Sequence, residues 1–213
     1  MSRSRWIWGI PAIVYVAFFA WYTNLAGPLG ADEIEHYLGL FEAADLEPER
    51  IAMLRRFMDE DTGDDFYMVN ALDLRAEPDR VGEVEPGETS EEVMGRYMAH
   101  MLPELLRRAC HPAIYGPAVA PAMDLVGIAG AEEWTAAAMF RYRSRRDMLD
   151  IATNPAFRDK HLYKLAALDK TIAYPIEPAI NLGEPRVLVA LVLLVISLGL
   201  QLLTGRRSAL AGR

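Results

Sequence analysis

The side chains with which this chain could do chemistry are few and scattered. Asn70 interrupts an otherwise apolar alternation in residues 66–74 (FYMVNALDL). A lone amide on a strand face can orient a ligand carbonyl, or it can satisfy nearby backbone. Arg141 and Arg143 share strand spacing with Thr135, Ala137 and Met139. Paired guanidiniums hold a carboxylate bidentately, and they equally form salt bridges with a protein's own acids. His161, close to Tyr163 and Lys164, has the side chain suited to proton transfer near neutral pH. A histidine at the surface or the core edge is the competing reading. Asn70, Arg141 and His161 are the candidates for orientation, anion binding and proton transfer; Asn70, Arg141 and Arg143 are the candidates for ligand contact.

Other chemistries fail on spacing. The acidic run at residues 59–65 (DEDTGDD) invites a calcium loop, but an EF-hand started at Asp59 puts Asp64 where glycine is needed and Asn70 where the closing glutamate belongs. A solvated turn is expected there. None of His36, His100, His111 and His161 pairs with a second ligand at metal-binding spacing. The single cysteine, Cys110, allows no internal disulfide and closes an apolar helix face, which fits a buried, inert thiol. Serine-hydrolase, Walker and dinucleotide-binding signatures are missing. No metal and no cofactor are expected.

The elements that must position these residues follow from periodicity. Ile34, Tyr37, Leu38 and Phe41 have helical spacing, and Pro48 opens a second short helix bearing Ile51, Leu54, Phe57 and Met58. Residues 66–74 read as a strand with both faces largely apolar, hence covered on both sides. A charged Pro/Gly loop follows over 77–88. Thr89 or Ser90 caps a helix whose stripe is Val93, Tyr97, Met101 and Leu105, widened by Met94, Met98, Leu102 and Leu106. Residues 111–123 are proline-broken and extended, as edge strands are. Residues 134–143 form a strand, 145–153 and 156–168 helices split by Asn154-Pro155, and 170–176 a last strand. Strand, helix, two extended segments, helices and strand make the split β-α-β order of a ferredoxin-like α+β fold.

Two uncharged apolar segments bracket this middle: residues 6–26 and 187–203. A bilayer core takes roughly 20 apolar residues in a helix, with a working range of about 17–25, so both are expected to span a membrane. Trp6, Trp8, Trp21 and Tyr22 lie where interfacial aromatics belong. The first segment is long, and no clear small-residue cleavage site follows it, so an uncleaved anchor is favoured over a signal peptide. The chain of 213 residues has net charge −8. All 30 acids fall between positions 28 and 185, with 16 of the 22 basic residues, so the middle carries −14. Such a surface repels phosphate backbones and argues against nucleic acid as a partner. Arg3, Arg5, Arg206, Arg207 and Arg213 flank the segments on their outer sides, with Arg186 alone on the inner side. The positive-inside rule then puts both termini in the cytoplasm and the acidic middle outside it, periplasmic in a bacterium.

Residues 66–178 carry a further signal. Met68-Val69-Asn70, the strand led by Trp134, Tyr142-Arg143-Ser144-Arg145, the Asn154-Pro155-Ala156-Phe157 break and Tyr163-Lys164-Leu165-Ala166-Ala167-Leu168 occur in order. This set resembles an uncharacterised family of small proteins in the dimeric α/β-barrel superfamily. The chain departs from it in having Tyr163-Lys164 where the family has His-Arg, and in adding both apolar ends and the two helices after the first. The resemblance implies a four-stranded sheet with helices on one face. The other face would pair with a second copy, enclosing a pocket between sheets. Some members of the superfamily bind haem, which by analogy would fall on His161. Nothing else in the sequence supports haem.

The expected organisation is an N-terminal anchor (1–27), a helical neck (28–65), a ferredoxin-like domain of the dimeric α/β-barrel type (66–180), and a C-terminal transmembrane helix with a basic tail (181–213). The expected function is that of a non-catalytic accessory or assembly subunit of a membrane protein complex. Its partners would be the lipid bilayer, other membrane subunits and a second copy. The alternative is a metal-free enzyme or binding module for a small apolar or aromatic carbonyl compound.

Overall fold

A computed structural model describes residues 3–211. It falls into two compact units, residues 26–178 and the two chain ends together. The larger unit holds a four-stranded antiparallel sheet in the order β2-β3-β1-β4. Its strands are β1 (Phe66–Leu74), β2 (His111–Pro117), β3 (Ala136–Tyr142) and β4 (Leu168–Ile176). β1 is central because both its faces can be buried. It pairs with β3 through Met68↔Phe140 and Asn70↔Ala138, and with β4 through Asn70↔Ala173. The proline-bearing β2 and β4 occupy the edges, where a missing N–H costs no ladder bond. This is the α+β, ferredoxin-like arrangement expected from the element order.

The helices of this unit are α2 (Ala31–Ala43), α3 (Pro48–Asp59), α4 (Ser90–Arg107), α5 (Arg145–Thr153) and α6 (Pro155–Ala167). α4 begins at a capping box, with Thr89 Oγ1 accepting from the Glu92 N–H and the Glu92 carboxylate accepting from the Thr89 N–H. Ser144 caps α5, and Asn154 caps α6 just before Pro155. Phe66, Met101, Leu105, Cys110, Tyr142 and Ile151 form one core cluster between sheet and helices. The α2–α3 pair is part of the same compact unit: Ile34, Leu38, Phe41 and Met58 close a second cluster onto Leu149 of α5. Electrostatics reinforce that junction, with Arg146 bidentate on Glu33 at 2.6 and 2.9 Å.

The acidic run is a structural turn. Asp61 accepts from the N–H of Leu29 at 2.8 Å and of Gly63 at 3.1 Å, and it faces Arg145. Among the described residues no group of acids, histidines or cysteine could hold a metal ion.

The second unit pairs α1 (Arg3–Tyr22) with α7 (Pro185–Ala211). The Trp8 indole donates to Gln201 Oε1 at 2.6 Å, and the Arg186 guanidinium lies 5.8 Å from the Tyr22 ring centre. Here the expectation of two spans is supported in part. Among the described residues one helix, Pro185–Gly205, is long and apolar enough to cross a membrane, with a mean hydropathy of 2.7. α1 falls short of the same measure because arginines, Pro11, tryptophans and tyrosines dilute its aliphatic residues. Of the arginines used for orientation, the side chains of Arg3, Arg206 and Arg207 and all of Arg213 lie outside the described residues.

Candidate functional site

The helix-covered face of the sheet does not close completely. A cleft of about 470 Å³ lies between it and α4. Strand alternation and register put Met68, Asn70 and Leu72 of β1 on this face, beside Ala138 and Phe140 of β3. The opposite wall is the apolar stripe of α4, with Met94, Met98, Met101 and Leu105. Methionine is unbranched and polarizable, so this wall can adapt to ligand shape. The cleft therefore sits inside one protomer, under the helices. The pocket implied by the resemblance lay instead between the sheets of two copies.

Few polar groups interrupt the lining. Asn70 is 6% exposed, and its amide nitrogen donates to the Met68 carbonyl at 3.0 Å. That bond satisfies backbone and leaves the amide oxygen without a role in it. Tyr97 comes from α4, Tyr142 from the end of β3 and Lys164 from α6. Burial pushes the Tyr97 phenol up to about 12. Tyr142 is raised as well, by burial first and then by the neighbouring Tyr97 and Cys110. Lys164 is lowered, because desolvation penalises its ammonium form.

The other sequence candidates lie elsewhere. Arg141 alternates away from the cleft and is fully buried; its Nε donates to Asp65 at 2.8 Å and its Nη1 to the Ala109 carbonyl at 2.8 Å. Arg143 forms a bidentate pair with Asp147 at 2.7 and 2.9 Å, and Asp147 also accepts from the Ser144 hydroxyl. Arg143 thus holds the β3–α5 corner, Arg141 ties β3 to the segments that enter β1 and β2, and neither lines the cleft. His161 stands outside the lining too, its ring edge-on to Tyr97 at 6.1 Å. It is exposed, yet enough protein surrounds it that desolvation, with Lys164 and Arg50 adding, keeps its imidazole below the ordinary value. Cys110 is fully buried, and burial raises its thiol to about 11, as an inert core cysteine requires.

The sequence brought Asn70 to the cleft and missed Tyr97, Tyr142 and Lys164 as lining groups. The α4 stripe containing Tyr97 was legible as a helix face, and nothing in it distinguished a cleft wall from ordinary core.

Known structures with this architecture exist. Two crystal structures of a protein of unknown function from Rhodopseudomonas palustris, one of them methylated, match 64–65% of this chain and 96% of theirs. Their identities are 20% and 19%, with TM-scores of 0.50 and 0.52. A protein of unknown function from Bacteroides fragilis, described as dimeric with a ferredoxin-like fold, matches 54% of this chain and 96% of its own at 14% identity and a TM-score of 0.32. No protein-family model matches the chain, and no curated protein matches it significantly. At these identities the likeness is one of fold.

Proposed function

We propose that the chain is a membrane-held binding protein whose ferredoxin-like domain takes a small apolar or aromatic compound bearing an acceptor oxygen into the cleft beneath α4. The cleft carries this reading. Its volume of about 470 Å³ lies within the range of roughly 300–1,000 Å³ typical of small-molecule sites, which are mostly apolar with a few polar groups that fix orientation. The test is thermal unfolding of the full chain in mild detergent against a panel of aromatic and aliphatic carbonyl compounds. A ligand at about 100 times its Kd stabilises a protein by roughly 2.7 kcal/mol, a readily measured shift. Ala138→Phe, which fills the cleft from β3, should abolish it. A panel that leaves the unfolding temperature unchanged would overturn the reading.

A second reading, an accessory or assembly subunit of a membrane complex, draws on the chain ends. Along α1 and α7, Ile13, Val16, Val195 and Leu202 are each 66–69% exposed, and 6% of the α7 span is buried. A soluble protein does not carry two long helices with so much aliphatic surface in water. Lipid or partner helices would cover them, with both termini cytoplasmic and the acidic domain periplasmic. Copurification in mild detergent tests this; recovery from the soluble fraction after alkaline washing would contradict it.

The sheet face away from the helices suits a homodimer. Its register sets Val69 and Met139 side by side, flanked by Ile114 and Tyr174. The last two are 61% and 50% exposed. Ile114→Glu should shift the particle to half its mass in light scattering.

A further inference from the structure

The cleft has an unusual polar inventory for so apolar a place. Among the described residues Lys164 makes no hydrogen bond and no ion pair, and neither do the hydroxyls of Tyr97 and Tyr142. Three donors without protein acceptors therefore line one cavity. Their polar atoms are not sealed from solvent, so each is open to an acceptor that enters from it.

The contrast with the rest of this chain sharpens the point. It has 30 acidic residues, and Arg141, Arg143, Arg145 and Arg146 each meet a carboxylate within 2.6–3.4 Å. Lys164 is left without one in an acidic protein. Asn70 could offer only its amide oxygen and a remaining N–H, since its other N–H is engaged by the Met68 carbonyl.

Building on the binding reading above, we infer that the cleft selects a ligand with an apolar body and an anionic oxygen group, a carboxylate being the simplest. Lys164 supplies the counter-charge, and the hydroxyls of Tyr97 and Tyr142 donate hydrogen bonds. The methionines of α4 and the apolar residues of β1 and β3 enclose the body. In a low-dielectric site an ammonium–carboxylate hydrogen bond is roughly twice as strong as a neutral one. A neutral amide can accept a hydrogen bond from the lysine but supplies no counter-charge.

The experiment compares apolar carboxylates with their uncharged amides: benzoate, 2-naphthoate and decanoate against benzamide, 2-naphthamide and decanamide. Binding is measured by calorimetry on the full chain in nanodiscs of uncharged phosphatidylcholine, for wild type, Lys164→Met and Lys164→Arg. Subtracting the signal of nanodiscs without the protein removes partition into lipid. The expected result is at least a tenfold preference for the acid of one pair in the wild type. Lys164→Met should lose that preference while still binding the amide, which shows the variant is folded, and Lys164→Arg should keep most of it. Equal binding of acid and amide by the wild type would overturn the inference and leave the cleft reading standing. A preference that survives Lys164→Met would overturn the role of the lysine. Binding of none of the six compounds would remove both readings together.

Discussion

At the scale of single residues, the same side-chain type has opposite meanings in different surroundings. Arg141 is fully buried and paired with Asp65, while Lys164 is partly buried and unpaired. Removing one partner of a buried pair strands the other, at a cost of about 3–5 kcal/mol. Arg141→Met is therefore expected to lower stability by about that amount in urea unfolding, with no direct effect on ligand contact. Lys164→Met should do the reverse and raise the unfolding temperature near pH 7. The folded-state value of Lys164 lies below its ordinary one, so the unfolded chain binds the proton more tightly. Stability then rises with pH from that lowered value up to roughly 10.4, the ordinary lysine value. Unfolding curves recorded across that window should keep this slope in wild type and lose it in Lys164→Met.

At the scale of elements, the domain depends on how the α3–β1 turn meets the entry to α2. Gly63 has φ +82, and a Cβ placed there would lie 2.7 Å from the Pro28 nitrogen and 2.8 Å from the Gly27 carbonyl carbon. Both the left-handed backbone and the close approach demand glycine. The neighbouring Asp61 accepts from the Leu29 N–H across the same junction. Gly63→Ala should cost about 1–3 kcal/mol and loosen the α2–α3 pair before the sheet, giving faster hydrogen exchange in 31–59 than in 66–74. Exchange that rises equally in both segments would show that the junction is not separately stabilised.

For the molecule as a whole, acid sensitivity falls on the carboxylates that gain partners on folding. The hydrogen bond from Arg146, then the Gly30 N–H, lowers Glu33 from 4.5 to about 2. The sign follows from linkage. A carboxyl lowered by folding adds stability above its unfolded value, and that stability is lost as pH falls through 4.5 towards 2. Glu33 is 43% exposed along its side chain, so solvent screens part of the effect. Glu33→Gln should flatten the acid limb of the stability profile modestly in that interval, as measured by fluorescence-detected melting.

The sequence alone determined the elements and their order. Apolar spacing, the cap at Thr89, the Asn154-Pro155 break and the prolines of residues 111–123 are local signals, and each element forms where its own residues favour it. It also marked the apolar ends, though aliphatic content separated α7 from the aromatic-rich α1 once both were helices. Tertiary structure decided which polar side chain meets which surface. Arg141 found Asp65, 76 positions away, because strand alternation turned it from the cleft. Lys164 reached the lining through the packing of α6 beside α4, and Tyr142 through its register opposite Phe66. A cleft is a gap between faces brought together from distant parts of the chain. No local period encodes it, because its shape depends on how closely a helix and a sheet approach, and only packing sets that distance.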